Sequence, residues 1–218
     1  MTTSLLNSLL RALLRWGAAL VFCLPLRHRS HFWARACGML FPLLLLAQLL
    51  DPLAQSTTLW QQQLLLLVLY ISFFALLGGM IYLCTDINKK GAMYCAVWSL
   101  LIAQCAYEGW CFLELQFARY GRPLNMASPW AVLVQLLSGA VFFAAVYLLL
   151  ARQLPYKGEY HIGPRQLFSA FFIGILFMVQ AAVLDNFRAE QFPRSVIATI
   201  LIGQFYFITL LYFQSELF

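Results

Sequence analysis

With 218 residues, 63% of them hydrophobic and only 10% charged, and a mean hydropathy of +0.80, the chain carries more apolar surface than a water-soluble domain of that size can bury. Lipid accommodates such surface around helices that satisfy their own backbone hydrogen bonds, so composition predicts an all-α polytopic membrane bundle of six or seven transmembrane helices, one domain over residues 1–218 with no soluble part. The formal charge of +6 sits mostly in loops, which suits anionic lipid headgroups; no basic patch is interleaved with aromatic residues on a soluble face, so nucleic acid is not an expected partner.

The first predicted helix covers residues 5–26. Arg11 and Arg15 lie in its first half, four residues apart on one face, and are expected to snorkel to an interface. Basic residues before an apolar stretch have the outline of a signal peptide. However, Cys23-Leu24-Pro25-Leu26 lacks the small residues of an Ala-x-Ala cleavage site, so an uncleaved helix is expected. Arg27, Arg29 and Arg35 make the next loop basic. A short second helix follows at 36–50, where Pro42 is expected to introduce a kink.

Residues 51–63 are mostly polar, and Trp60 among them marks a membrane interface. The third helix is predicted at 64–83, and the turn from Asp86 to Gly91 carries Lys89 and Lys90. The fourth helix covers 92–115, and the loop after it contains Arg119, Gly121, Arg122, Pro123 and Asn125. A fifth helix at 130–150 precedes a loop whose Pro155, Gly158, Gly163 and Pro164 are turn signals. The sixth and seventh helices are predicted at 167–184 and 196–213.

Orientation follows from the loop cations. One set of loops holds Arg27, Arg29, Arg35, Lys89, Lys90, Arg152, Lys157 and Arg165; the other holds Arg119, Arg122, Arg188 and Arg194. The richer set is expected to be cytoplasmic, which puts the C-terminus inside. If the first segment lies flat on the surface, six spans remain and the C-terminal side is unchanged.

Glu108 is the sharpest candidate for function. A charge left unpaired within lipid costs on the order of 3 kcal/mol or more. Gln104, Glu108 and Cys111 fall at i, i+4 and i+7, so they share a face expected to point into the bundle. Two readings stand side by side: a polar stripe that contacts a ligand or ion, and an inter-helix hydrogen bond or uncharged carboxylic acid. Arg119 and Arg122, near Glu114, can meet an anionic ligand such as a peptide carboxylate, or lipid headgroups. Gln180 and Gln204 read as hydrogen-bonding glue between helices.

The six cysteines form no Cys-x-x-Cys pair and read as small, buried, reduced side chains. His31 and Cys37 are close in sequence, but a cysteine nucleophile needs an oriented base and no third group is evident. Gly-x-Ser-x-Gly, His-Glu-x-x-His, phosphate loops and dinucleotide fingerprints do not occur. No catalytic residue, metal or cofactor is therefore expected.

Two stretches carry a resemblance. The first is Leu24-Pro25-Leu26-Arg27-His28-Arg29-Ser30-His31-Phe32-Trp33-Ala34-Arg35, a helix end and a basic loop with His, Phe and Trp. The second is Cys84-Thr85-Asp86-Ile87 with Ala92-Met93-Tyr94-Cys95-Ala96 and Gln104-Cys105-Ala106-Tyr107. Together they resemble the N-terminal membrane sensor region of bacterial GHKL-type sensor histidine kinases, akin to receptors for peptide pheromones. That resemblance implies a receptor in the bacterial cytoplasmic membrane, working as a homodimer through the last helix. It would sense an extracellular peptide or small ligand and signal to a cytoplasmic kinase region, and through it to a response regulator. No kinase motif is present in these 218 residues, so catalysis is not expected of them. On this reading Gln104, Glu108, Arg119 and Arg122 form the ligand site. The alternative is a solute transporter or a substrate-binding subunit of an energy-coupling transporter, although the first helix lacks the Ala-x-x-x-Ala pattern by which such subunits dock.

Overall fold

The computed structural model describes residues 2–55, 59–119, 129–149, 151 and 162–187. They form six helices: α1 (Thr2–Cys23), α2 (Phe32–Gln55), α3 (Leu59–Cys84), α4 (Lys89–Arg119), α5 (Pro129–Leu149) and α6 (Pro164–Phe187). Among the described residues there is no strand, only an isolated antiparallel bridge between His28 and Thr85. The predicted seventh helix at 196–213, with Gln204, lies outside the described residues, as do Arg122, Arg152, Lys157, Arg188 and Arg194.

Among the described residues, three helical stretches are long and apolar enough to cross a membrane: Phe32–Leu49, Leu67–Cys84 and Trp130–Leu148. This is a membrane protein by that measure. Its outer surface agrees: Phe41, Leu45 and Leu49 on α2, Leu67 and Ile71 on α3, Leu133, Leu137 and Val141 on α5, and Phe168, Phe172 and Ile175 on α6 are all exposed. In water such continuous apolar faces are aggregation sites; in lipid they are solvated.

α2 is longer than the sequence indicates. It runs unbroken through Pro42 and continues past Asp51 and Pro52 to Gln55. α4 is longer too, at 31 residues, or about 46 Å at 1.5 Å per residue. It is the centre of the bundle, packed against α1, α3, α5 and α6, while α2 packs on α1 and α3. From Tyr94 to Ala103 every residue of α4 is buried. A helix so enclosed meets protein on most sides, which is why it tolerates polar residues that a lipid-facing helix would not. Small residues bring the neighbours close: Ala12, Ala18 and Ala19 of α1 and Ala92 and Ala96 of α4 are buried.

The start of α4 is fixed locally. The Gly91 N–H donates to Asn88 Oδ1 at 2.7 Å, an N-cap that satisfies one of the helix's unpaired donors. Replacing Asn88 by alanine is expected to cost about 1 kcal/mol, measured as a lower unfolding midpoint in detergent. α6 opens with the reciprocal bond, with Pro164 as its first residue and the Gln166 side chain reaching back to accept from the Gly163 N–H at 3.0 Å.

The loops at one end of the bundle lock together. The Arg29 N–H donates to Cys84 O at 3.0 Å, and the Asp86 N–H donates to Arg27 O at 2.9 Å. Arg35 donates to Leu83 O at 2.8 Å, and the Trp16 indole donates to Ala36 O at 2.7 Å. His28 stacks on Phe32 with ring centroids 4.1 Å apart, and Arg29 lies 3.7 Å from Asp86. These contacts tie α1, α2, the end of α3 and the loop that leads into α4 into one clasp. It also gathers five cations of the richer loop set, Arg27, Arg29, Arg35, Lys89 and Lys90, at that end.

Candidate functional site: a polar centre between α1 and α4

Since α1 ends and α4 begins at the clasp, the two helices run antiparallel. Helical side chains lean toward their own N-terminus. Those of α1 therefore lean away from the clasp and those of α4 lean toward it, so residues some distance apart in level converge. Arg11 and Tyr107 do so: the Arg11 guanidinium donates to Tyr107 Oη at 2.7 Å, and its carbon lies 4.6 Å from the centre of that ring. One turn nearer the clasp, the Arg15 guanidinium lies 3.7 Å over the ring of Phe73 on α3.

The expectation that Arg11 and Arg15 snorkel to an interface is therefore corrected. Arg15 is only 9% exposed, and Arg11 is half-buried against α4. The reason is the partner α1 finds. A guanidinium within the bilayer is better accommodated by aromatic faces and a hydroxyl inside the bundle than by lipid outside it. The signal was present in the sequence as two arginines at i and i+4 in an apolar helix, matched by a Gln, a Tyr and a Glu within five residues of another.

Glu108 faces inward as expected and is 1% exposed. The Gln104 amide donates to Glu108 Oε1 at 3.1 Å, an i, i+4 bond along α4. Arg15 and Glu108 are the two buried members of the Lys, Arg, Asp and Glu set among the described residues, and they lie on helices packed against each other. Ser8 and Ser99 are buried on the same two helices, with Ser99 donating back to Cys95 O at 2.7 Å.

Of the four expected ligand residues, the structure brings Gln104 and Glu108 together. Arg119 is the last residue of α4, about 16 Å along the helix from Glu108; its side chain, like that of Cys111, lies outside the described residues. Buried Cys23, Cys84, Cys95 and Cys105 fit the expected packing role, but Cys37 is exposed, because it lies on the outward face of α2. His31 is exposed as well, in a left-handed conformation with φ of 57°, and no hydrogen bond joins it to Cys37.

The arrangement can hold and discriminate charge. It offers two guanidinium groups, a phenol, a carboxamide and a carboxylate within an apolar shell, where electrostatic interactions are stronger than in water. No family model matches the chain, and neither a curated protein nor a solved structure matches it at a significant level.

Proposed function

We propose that this chain is a multi-pass sensor domain of a bacterial cytoplasmic membrane, and that the polar centre of Arg11, Arg15, Gln104, Tyr107 and Glu108 is its ligand-responsive element. The observation that carries the reading is the burial of Glu108 and Arg15 on adjoining helices inside an apolar bundle. Charges retained at such depth mark functional sites by default.

Sidedness supports an outside ligand. The positive-inside rule puts the clasp, with Arg27, Arg29, Arg35, Lys89 and Lys90, at the cytoplasmic face, and the C-terminus on that side too. Glu108 then lies about 28 Å along α4 from Lys89, close to the far edge of a hydrocarbon core of about 30 Å. A small ligand or peptide with an anionic group reaches that level from outside. By pairing with a guanidinium it favours one packing of α1 on α4 over another, and only that difference in affinity shifts the equilibrium. The clasp carries the shift across, since it joins α1 to α2 and both to the end of α3 and the loop that leads into α4. Output passes to a cytoplasmic kinase region.

The coding sequence around this chain is the first test. A continuous or adjacent frame with a coiled coil and a GHKL ATP-binding region is the expected finding. Transporter ATPase genes in that place overturn the sensor reading in favour of a solute-capturing subunit. In cells carrying the intact system, Glu108→Gln is expected to reduce the reporter response to conditioned medium at least tenfold. A response unchanged from wild type removes the polar centre from the site.

A further inference from the structure

The outer apolar stripe of α3 ends beneath two arginines of the clasp. Val68, Ile71 and Ala75 are exposed along α3, and Tyr82 continues their stripe at i+7 from Ala75. The Arg29 guanidinium lies 5.0 Å over the Tyr82 ring. On the next residue, Leu83 O accepts from the Arg35 guanidinium, which crosses to it from the first turn of α2. Among the described residues this is the one hydrogen bond of the Arg35 side chain, so most of its N–H donors are left over. Arg27 stands close by. Residues 27–29 pair with 84–86 through the His28–Thr85 bridge, and alternation along that short ladder puts Arg27 and Arg29 on one face and His28 on the other. Arg27 is exposed. Asp86, 3.7 Å from Arg29, is a single carboxylate against three guanidinium groups.

The spans set the depth of this cluster. The apolar stretch of α3 ends at Cys84, and that of α2 begins at Phe32. Arg29 and Arg35 meet α3 at Tyr82, Leu83 and Cys84. Their charged heads therefore stand at the edge of the apolar band, the level of phospholipid phosphates, and exposed Trp33 beside them has the interfacial preference of tryptophan. An amphiphile matches both parts, with a phosphate on the arginines and a chain on the stripe below. A soluble acidic partner leaves the stripe unused. Charge narrows the choice further. A zwitterionic headgroup brings a cation that three guanidinium groups repel, whereas an anionic one brings an uncompensated phosphate. Arginine suits phosphate, because its planar fork makes two parallel hydrogen bonds to it.

We infer that the clasp end of the α2–α3 face is a binding site for one anionic phospholipid, its phosphate held by Arg29 and Arg35 with Arg27 adjacent, and an acyl chain along Tyr82, Ala75 and Ile71. The site is separate from the polar centre and does not depend on which side of the membrane the clasp faces. It bears on the clasp directly. A phosphate shared by Arg29 and Arg35 ties the start of α2 to the end of α3, so the anionic lipid content of that leaflet sets how firmly the clasp holds.

The test is native mass spectrometry of the whole chain released from nanodiscs of phosphatidylcholine and phosphatidylglycerol with matched acyl chains. Retention of one phosphatidylglycerol per chain is expected, about tenfold over phosphatidylcholine. Arg29→Gln combined with Arg35→Gln is expected to abolish that preference. Because these arginines also hold the clasp, Ala34→Glu supplies a second variant. Ala34 is exposed in the first turn of α2 beside Arg35, where a carboxylate favours the helix but repels a phosphate. The preference is expected to fall about tenfold with no drop in the unfolding midpoint. Arg165→Gln removes an equal charge at the start of α6, at the same end of the bundle, and is expected to leave the preference intact. Equal retention of the two lipids would overturn the site. So would a preference that Ala34→Glu leaves untouched, or one that Arg165→Gln lowers as much. Displacement of the retained lipid by inorganic phosphate would overturn it in favour of a soluble anion.

Discussion

Replacing Arg15 by leucine is expected to destabilise the bundle by about 3 kcal/mol, because it takes from the α1–α4 interface the more deeply buried of the two α1 guanidinium groups and leaves only half-buried Arg11 to offset Glu108. Glu108→Leu is expected to cost a similar amount for the converse reason. The informative protein is the double variant. With both removed, neither is left buried without the other, and at least half of the loss from the two single changes should be regained. Thermal unfolding of the four proteins in one detergent measures this cycle. Strictly additive losses would show that the two charges act independently, and would leave the polar centre as two separate features. Tyr107→Phe belongs in the same series. It removes the hydroxyl that accepts from Arg11 but keeps the ring beneath the guanidinium, so a smaller loss of roughly 1–2 kcal/mol is expected.

Gly174→Leu is expected to produce the other large effect. Gly174 of α6 faces Val97 of α4, and a Cβ there would already stand 3.0 Å from Val97 Cγ1. A leucine cannot enter without separating the helices. The expected loss is roughly 1–3 kcal/mol, in the range for overpacked cores, with a lower unfolding midpoint and faster proteolysis of the α6 segment. Gly38 is the control. A Cβ there meets nothing within 4 Å, so Gly38→Leu on the exposed face of α2 should leave the midpoint unchanged or slightly higher. Equal stability of Gly174→Leu and wild type would mean that α6 does not pack on α4 in the membrane.

Much of the candidate site was legible because a polar residue in an apolar helix has few places to go. Glu108 and Gln104 share a face by spacing alone, and that face turned inward. Arg11 and Arg15 were equally visible, but their direction was not. An arginine near the end of an apolar helix has two solutions, an interface reached by its long stem or a partner inside the bundle, and the sequence of α1 fits both. The choice was made by α3 and α4, which present Phe73 and Tyr107 at the right level. Gln135 was passed over for a related reason. A single amide in an apolar helix reads as inter-helix glue, and only the assembled structure shows that Gln135 of α5 is buried with no donor to its oxygen.

Composition determined the solvent of this protein and its secondary structure, since so apolar a chain must satisfy its backbone internally and helices do so within one segment. The cation-rich loops were equally plain in the sequence. What it did not contain was order in space. That α4 is the enclosed helix, that the loops after α1 and α3 bond to each other, and that α1 turns its arginines to the centre all depend on which helices become neighbours. Helices with apolar residues on every side carry no sequence signal for their partners. In such a bundle close packing of small residues and the satisfaction of a few polar groups choose the arrangement, and both are properties of the assembled structure.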